Sequence, residues 1–376
     1  MHSNRKIPIL LSLLAVSVSV AAERPSIPEP AKANIRNRVD LGFSPGIVVG
    51  LISADGTDYF SYGSTALKNG AAVNEDTIFE IGSVSKVFTG LLLARLAEQG
   101  KLALEDPLSA HLPESVTVPE RGDTPIRLVD LSTHRSGLPR LPDNMTPDDM
   151  LNPYADYTID QLYAFLSEHE LRRDPGDAYE YSNLAAGLLG HVLELNTGKS
   201  YEKLVRGAIA SKLGMKSTTV TLSPKMLARV ARPHTYDGNE VKLWDLPVLA
   251  GAGAIRSTAR DMLAFLSANM GLRDTSLNAA LQVSRKERAD AGSPNMKIGL
   301  GWHILEVDDR RVVWHNGGTG GHHSFVGFRQ DGSLGVVVLA NSSDSIDDIG
   351  LHLLDSSMEM AERKPRRKKI PLFKKD

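Results

Sequence analysis

The sequence contains no cysteine among its 376 residues. This absence excludes disulfide bonds, a thiol nucleophile and any metal site built on thiolates. A chain of this length buries enough apolar surface to be stable without covalent cross-links. The fold is therefore expected to depend on its hydrophobic core alone.

An excess of charge of either sign is also missing, because 43 Lys and Arg residues face 45 Asp and Glu residues. The resulting formal net charge of −2 does not indicate a nucleic-acid partner. Hydrophobic residues make up 41% of the chain and charged residues 23%, an ordinary globular composition for one large domain or two smaller ones. Internal repeats and low-complexity tracts are absent as well.

The apolar run Ile7–Val20 is shorter than the roughly 20 residues that a membrane-spanning helix needs. It follows Arg5 and Lys6 and precedes small residues that end at Ala22. This pattern is typical of a secretory signal peptide. We predict that residues 1–22 are cleaved off and that the product is periplasmic; a permanent membrane anchor is the alternative.

The other end of the chain, 363–376, is strongly basic, with eight Lys or Arg among the thirteen residues from Arg363 to Lys375. A charge run of this kind predicts a solvated, disordered tail. The alternative is a weak contact with an anionic surface such as a membrane or a wall polymer. A single domain is predicted between the two ends, at 23–362.

Strand patterns occur near both ends of the chain, at 46–53, 58–63, 311–315, 323–328 and 334–341. Helical patterns are found at 28–41, 83–100, 159–166, 183–195, 259–266 and 347–361. The middle, about 100–270, is mostly helix and loop. We therefore predict an α+β fold, in which both ends of the chain form one antiparallel sheet flanked by helices, with a mainly helical lobe inserted and the cleft between the two.

The stretch FEIGSVSKVFTGLL, residues 79–92, places Lys86 in the apolar stripe of a predicted helix. Burial of an unpaired ammonium is costly, so such a lysine pairs or loses its proton. Ser83 lies three residues earlier and shares a helix face with Lys86, and a desolvated amine can take the proton of a serine hydroxyl. A capping serine followed by a lysine that reaches out to water is an equally good interpretation of the pair alone.

The spacing Ser-x-x-Lys occurs three times in the chain and is weak evidence by itself. Ser3–Lys6 lies in the predicted signal peptide, and Ser200–Lys203 has polar neighbours that indicate a surface position.

Two further segments favour chemistry at Ser83. Tyr181-Ser182-Asn183 begins a predicted helix and is the only Tyr-x-Asn in the chain. A phenol near a lysine can relay protons, and an asparagine amide can bind both the lysine and a substrate carbonyl. The segment WHNGGTGGHHSF, 314–325, carries His315 on a strand that becomes glycine-rich, where the N–H of Gly318 can bind an oxyanion.

The three motifs, in this order, resemble those of the serine β-lactamase and penicillin-binding DD-peptidase family, in its class C-like branch. The resemblance covers the mature chain to about residue 361 and extends to STHRSGLP, GLGW and LGVVVLAN. It implies catalytic roles for Ser83 as the acylated nucleophile, Lys86 as its activating partner and Tyr181 as a proton shuttle. It implies that the substrate is bound by Asn183, His315, Gly317 and Gly318, with His315 facing a substrate carboxylate and the N–H groups of Ser83 and Gly318 forming the oxyanion hole. No metal or organic cofactor is implied, and the expected partner is a β-lactam, a D-Ala-D-Ala-type peptide or an ester.

The chain departs from the class C β-lactamase pattern at two places. His315 and Asn316 stand where those enzymes have Lys and Thr, and Asn341 is followed by SSDSID rather than by further asparagines. Three hypotheses follow: a hydrolase of β-lactams or D-Ala-D-Ala-type peptides, an esterase or D-aminopeptidase with the same machinery, and a non-catalytic penicillin-sensing or wall-binding module. We expect the loops at 140–157 and 234–250 to decide the substrate.

A metal site at His315, His322 and His323 is disfavoured, because no carboxylate or thiolate lies nearby at ligand spacing. Successive residues on a strand point to opposite faces, which predicts that His322 and His323 diverge.

Overall fold

The computed structural model describes residues 24–365. The predicted signal peptide, 1–22, and all but the first three residues of the basic tail lie outside this range. No helix within 24–365 has the length and apolar character needed to cross a membrane.

Within residues 24–365 the chain forms ten strands, in chain order β1 (Gly46–Ser53), β2 (Gly56–Gly63), β3 (Phe79–Glu80), β4 (Arg256–Ser257), β5 (Ala289–Asp290), β6 (Met296–Ile298), β7 (His303–Val307), β8 (Arg310–Gly318), β9 (His323–Arg329) and β10 (Gly335–Ala340). Eight of them form one antiparallel sheet in the spatial order β2-β1-β10-β9-β8-β7-β6-β5. The strand β1, from the start of the chain, pairs with β10, from its end, with Val48 opposite Leu339. The prediction of one sheet built from both ends is confirmed.

The helices of the same range are α1 (Glu29–Asp40), α2 (Ser85–Glu98), α3 (Leu128–Ser132), α4 (Ile159–Glu168), α5 (Asn183–Thr197), α6 (Tyr201–Leu204), α7 (Ser211–Leu213), α8 (Pro224–Leu227), α9 (Ala250–Gly253), α10 (Ala259–Asn269), α11 (Asn278–Arg285) and α12 (Asp347–Leu354). A π-helical segment, Val205–Ala210, joins α6 to α7, and 3₁₀ turns cover Gly82–Val84 and Leu108–His111.

Helices cover both faces of the sheet, which explains why its central strands are almost continuously apolar. Ile47 and Val49 of β1 belong to the hydrophobic cluster that includes α1 and α12. Val48 and Ile52 point the other way, into the larger cluster that includes α2 and α10. The alternation follows from the two-residue period of a strand, and here both sides of it are buried.

The inserted helical lobe comprises α3 to α9, between the short paired strands β3 and β4. The chain leaves the sheet region at Phe79 and returns to it at Ser257, and these two residues pair with each other. Helix α2 lies between the two parts and contacts α11 on one side and α5 and α9 on the other. The predicted inserted lobe is confirmed, and it places the first turn of α2 at the junction.

Two sequence predictions about helices are corrected. The final helix was expected at 347–361 but ends at Leu354. Asp355 takes an extended conformation, accepts a hydrogen bond from the Ser357 N–H at 3.0 Å and pairs with Arg310 at 2.9 Å. Helix α2 carries no apolar stripe, because its residues are buried on every side from Ser85 to Ala94.

The buried side chain of Asn341 ties the end of β10 to the start of the chain's first hairpin. Its Oδ1 accepts a hydrogen bond from the Gly46 N–H at 2.7 Å, and its Nδ2 donates to the Ser64 carbonyl at 3.2 Å. We expect Asn341→Ala to lower the free energy of unfolding by about 1–3 kcal/mol, because buried backbone groups lose their partners. Urea denaturation measures this, and Asn295→Ala, at an exposed position, should change stability by less than about 0.5 kcal/mol.

Candidate active site

Ser83 lies in the 3₁₀ turn Gly82–Val84, which leads directly into α2. Gly82 has φ +48°, a left-handed conformation that favours glycine and lets the chain turn sharply from β3 into the helix. The turn leaves the Ser83 side chain partly exposed while its neighbours Val84 and Ser85 are buried. N–H groups in the first turn of a helix have no intrahelical acceptor, so they are free to bind a negative charge.

Lys86 is only 2% exposed, and its amine lies between three oxygen atoms. Its Nζ is 3.0 Å from Ser83 Oγ, 2.9 Å from Asn183 Oδ1 and 2.8 Å from the Ala252 carbonyl. The amide and carbonyl oxygens can only accept. A neutral amine that donates its two N–H bonds to them directs its lone pair at the third neighbour, the Ser83 hydroxyl. This geometry suits removal of the serine proton.

No carboxylate of residues 24–365 forms an ion pair with this amine, and its burial lowers the pKa of Lys86 well below the ordinary value of 10.5. The positive charge of Arg140 lowers this pKa further. Both effects disfavour the ammonium form. A neutral amine at this position has the lone pair that is needed to accept the serine proton.

Tyr181 completes the group around Ser83. Burial raises the pKa of the Tyr181 phenol to about 12, while a hydrogen bond with the Ser83 side chain partly opposes this. Lys86 Nζ is 4.9 Å from the centre of the tyrosine ring, and the Arg140 guanidinium is 5.1 Å from it. At neutral pH the phenol keeps its proton and is placed to donate it.

Asn183 is held at the N-terminus of α5, where the side chain of Ser182 caps the helix by accepting a hydrogen bond from the Ala185 N–H at 2.9 Å. The Asn183 Nδ2 donates to the Tyr154 hydroxyl at 3.1 Å. With Oδ1 bound to Lys86, one amide N–H of Asn183 is left for a ligand. Tyr154 was missed in the sequence, because it lies in a loop without a periodic pattern.

The end of β8 packs directly against the serine turn. A Cβ on Gly317 would lie 2.0 Å from the Ile81 carbonyl and 2.9 Å from the Ser83 N, so only glycine fits. The Ser324 hydroxyl donates to the same Ile81 carbonyl at 2.8 Å and holds the contact. A Cβ on Gly318 would meet nothing closer than 3.8 Å. The backbone of Gly318 is thereby brought beside that of Ser83.

The expectation that His315 faces a substrate carboxylate is corrected. Its ring is fully buried and does not line the cavity, and its Nδ1 donates to the Asn316 carbonyl. Burial, followed by the charges that His303 and Lys86 can carry, lowers the pKa of His315 well below 6.5. A neutral ring behind Tyr181, with the two ring centres 6.3 Å apart, offers little to an anion.

Two further histidines that the sequence analysis did not select lie beside Tyr181 and His315. The ring of His134 is 4.5 Å from the tyrosine ring, and that of His303 is 5.0 Å from His315. Burial lowers the pKa of His303 to about 4. Each of the three imidazoles has one buried nitrogen without a hydrogen-bond partner among the described residues. The wall behind the tyrosine is thus uncharged at neutral pH.

A cavity of about 870 Å³ opens above Ser83. It is lined by Ser83, Arg140, Leu141, Met145, Pro147, Met150, Pro153, Tyr154, Tyr181, Asn183, Trp244, His303, Asn316, Gly317 and Gly318. Both loops that were expected to decide the substrate, 140–157 and 234–250, contribute to this lining. Of the predicted site residues, all but Lys86 and His315 reach the cavity wall.

Within residues 24–365 no three His, Asp or Glu side chains are placed to hold a metal ion. His322 and His323 diverge as predicted, since His322 Nδ1 lies 3.2 Å from Glu80 and His323 Nε2 lies 3.0 Å from Asp347. Ser200 and Lys203 are exposed, as their polar neighbours indicated.

A serine hydroxyl, a buried amine within hydrogen-bond distance and a protonated phenol, set between an antiparallel sheet and a helical lobe, define a serine hydrolase of the Ser–Lys type. The family model described as Beta-lactamase matches residues 31–353. The chain belongs to the β-lactamase family.

Several proteins of known name are similar to this chain. It is 30% identical over 328 residues to the D-alanyl-D-alanine-carboxypeptidase/endopeptidase AmpH of Escherichia coli K12, covering 81% of this chain and 83% of that protein. A β-lactamase of Pseudomonas fluorescens is 27% identical, covering 82% and 94%. Among solved structures, a class C β-lactamase from Rhodobacter sphaeroides superimposes with a TM-score of 0.76 at 25% identity, covering 88% of this chain and 99% of that one. A β-lactamase/D-alanine carboxypeptidase from Yersinia pestis gives a TM-score of 0.77 at 25% identity, covering 88% and 97%.

The lowered pKa of Lys86 and the raised pKa of Tyr181 predict the pH dependence of acylation. The rate should rise with pH as Lys86 loses its proton, and no alkaline decline should come from Tyr181 below its pKa of about 12. Profiles of kcat/KM against pH for the wild type and Tyr181→Phe measure this. The variant should be slower with its acid limb unmoved; an acid limb that disappears with the phenol contradicts the assignment of the base to Lys86.

The close packing of Gly317 predicts different effects for two neighbouring glycines. A methyl group on Gly317 must push β8 away from the Ser83 turn, so Gly317→Ala should slow acylation about 100-fold, the cost of losing one oxyanion donor. Gly318→Ala has room for its methyl group and should acylate at nearly the wild-type rate. Single-turnover labelling with a fluorescent penicillin gives both rates. Equal rates for the two variants would rule out this close contact.

Proposed function

We propose that this protein forms a covalent ester at Ser83 with β-lactams or D-Ala-D-Ala-type peptides and then releases the acyl group to water. The observation that carries the proposal is the buried Lys86 amine, which lies 3.0 Å from the Ser83 hydroxyl and has no counter-ion in the part of the chain that the structure describes. Membership in the β-lactamase family supports the same chemistry. The substrate is a small molecule or a peptide, held in the cavity above Ser83.

In the first step the Ser83 hydroxyl gives its proton to the lone pair of Lys86 Nζ, and Oγ attacks the substrate carbonyl carbon. A C–O bond forms, and the carbonyl oxygen becomes an oxyanion that accepts hydrogen bonds from the N–H groups of Ser83 and Gly318. Gly317 keeps the strand close enough for both donors to act. The remaining N–H of the Asn183 amide binds the carbonyl of the substrate's acyl side chain.

In the second step the C–N bond breaks and the leaving nitrogen takes the proton of the Tyr181 hydroxyl. Lys86, now an ammonium, returns a proton to the tyrosine, so the site regains its starting charge. Water then attacks the ester carbonyl, passes a proton to the same groups, and Ser83 Oγ leaves with a proton. His315, which lies behind Tyr181, would position the phenol rather than touch substrate.

A second candidate keeps the machinery and changes the substrate to an ester or a D-amino-acid amide. The specific observation in its favour is the buried, neutral His315, which supplies no charge for a carboxylate at the place where class C β-lactamases have lysine. The apolar part of the cavity wall, with Met145, Met150 and Trp244, suits a hydrophobic acyl group. A persistent acyl-enzyme would instead favour the third hypothesis, a penicillin-sensing module.

The place of action also belongs to the proposal. Residues 1–22 are proposed to direct export and to be removed after Ala22, which delivers the domain to the periplasm. There both β-lactams and wall peptides are accessible. The basic residues of 363–376 are proposed to make weak contact with an anionic surface.

Labelling with a fluorescent penicillin tests the proposed nucleophile. We expect a covalent adduct that maps to Ser83, that is lost in Ser83→Ala and that is retained in Ser200→Ala, the matched serine of the exposed Ser-x-x-Lys. Release of the label over minutes, with hydrolysed product in solution, identifies a hydrolase. A label that survives Ser83→Ala disproves the proposal, and an adduct that never turns over identifies the sensing module.

A further inference from the structure

Arg140 is the one residue with a full charge at neutral pH among the fifteen that line the cavity. The neighbouring wall is formed by apolar side chains such as Leu141 and Met145 and by aromatic rings such as Tyr154. No Asp or Glu lines the cavity. The cavity therefore has a positive local charge, although the whole chain has a formal net charge of −2.

The guanidinium of Arg140 is not used in holding the fold together. It makes no ion pair and no side-chain hydrogen bond with any residue of 24–365, and it is exposed. The backbone at the same position is fixed, because its carbonyl accepts hydrogen bonds from the N–H groups of Asn183 at 3.0 Å and Leu184 at 3.2 Å. The side chain lies 5.1 Å from the Tyr181 ring. A rigid backbone thus presents five unpaired N–H donors beside the reacting groups.

The strand side of the same cavity is unfavourable for an anion. The Asn316 amide donates to the carboxylate of Asp347 at 2.7 Å, and His323 Nε2 lies 3.0 Å from the other oxygen of that carboxylate. Asn316 lines the cavity, and Asp347 lies directly behind it. A substrate carboxylate beside Asn316 would be close to a like charge, which costs free energy. The charge distribution therefore directs an anion toward Arg140.

We propose that Arg140 binds a carboxylate of the substrate, and that the site is specific for anionic acyl donors. This inference rests on the proposed function, since it names the substrate class of the same site. A planar guanidinium binds a carboxylate through two parallel hydrogen bonds, which fixes the orientation of the ligand as well as its position. The carboxylate is either the one next to the scissile amide, as in a free peptide C-terminus, or one carried by the acyl side chain.

Arg140 has a second effect that any test must separate from carboxylate binding. Its positive charge lowers the pKa of Lys86, after the larger effect of burial. Loss of the charge raises that pKa and slows acylation for every substrate by moving the acid limb of the pH profile upward. A ratio of rates between a charged and an uncharged substrate cancels this common effect.

Three penicillins separate the possibilities: benzylpenicillin, its neutral methyl ester, and carbenicillin, which has an extra carboxylate on the acyl side chain. One of these compounds carries the carboxylate that Arg140 binds, and its comparison compound lacks that carboxylate. We expect Arg140→Gln to lower kcat/KM for the first by about 10- to 100-fold relative to the second, which is the range for a hydrogen bond to a charged group. A fall for benzylpenicillin relative to the ester identifies the carboxylate next to the scissile bond. A fall for carbenicillin relative to benzylpenicillin identifies the acyl side chain.

Arg172→Gln is the matched control, because Arg172 is an exposed arginine outside the cavity. It should leave both ratios unchanged, and Arg140→Lys should keep part of the preference because the charge remains while the planar fork is lost. Ratios that stay unchanged in Arg140→Gln, with Ser83 still labelled, overturn this inference and leave the proposed function intact. If the wild-type protein is not labelled at Ser83, the proposed function is overturned instead.

Discussion

The chemistry of the site depends on an amine that has been removed from water. Each unit by which the pKa of Lys86 is lowered corresponds to about 1.4 kcal/mol of preference for the neutral form. Helix α2 supplies this environment because it is buried on all sides between the sheet and the helical lobe. A surface helix with the same four residues, Ser-x-x-Lys, would leave the lysine hydrated and charged. Packing at the junction of the two parts of the molecule therefore decides whether the motif is chemically active.

The sequence was sufficient to predict the fold class. The strand and helix patterns near the two chain ends predicted a shared sheet. The antiparallel pairing of β1 with β10 confirms this prediction. Ser83 and Lys86 lie at the start of α2, Tyr181 and Asn183 lie at the start of α5, and these four side chains lie together in the structure. Short motifs with a fixed local geometry allow such predictions, because each begins a helix whose first turn faces the cleft.

Features that depend on tertiary packing were not accessible in this way. His315 was expected at the cavity wall, but a strand pattern indicates only that a side chain points to one face, not what covers that face. Arg140 and Tyr154 lie in loops, where no periodicity constrains the position of a side chain. The final helix was predicted too long, because Asp355 finds local partners that compete with the helical hydrogen bonds.

The order of the strands has a consequence for how the molecule comes into being. Among the strands of residues 24–365, the hairpin of β1 and β2 has one further neighbour in the sheet, β10, which lies far from it in sequence. Until Gly335–Ala340 has been synthesised, the edge of β1 opposite β2 has no strand to pair with. Such non-local pairing makes folding slow, because the sheet cannot close before β10 is available. The sheet that packs against the Ser83 turn is therefore complete only after two distant parts of the chain have met.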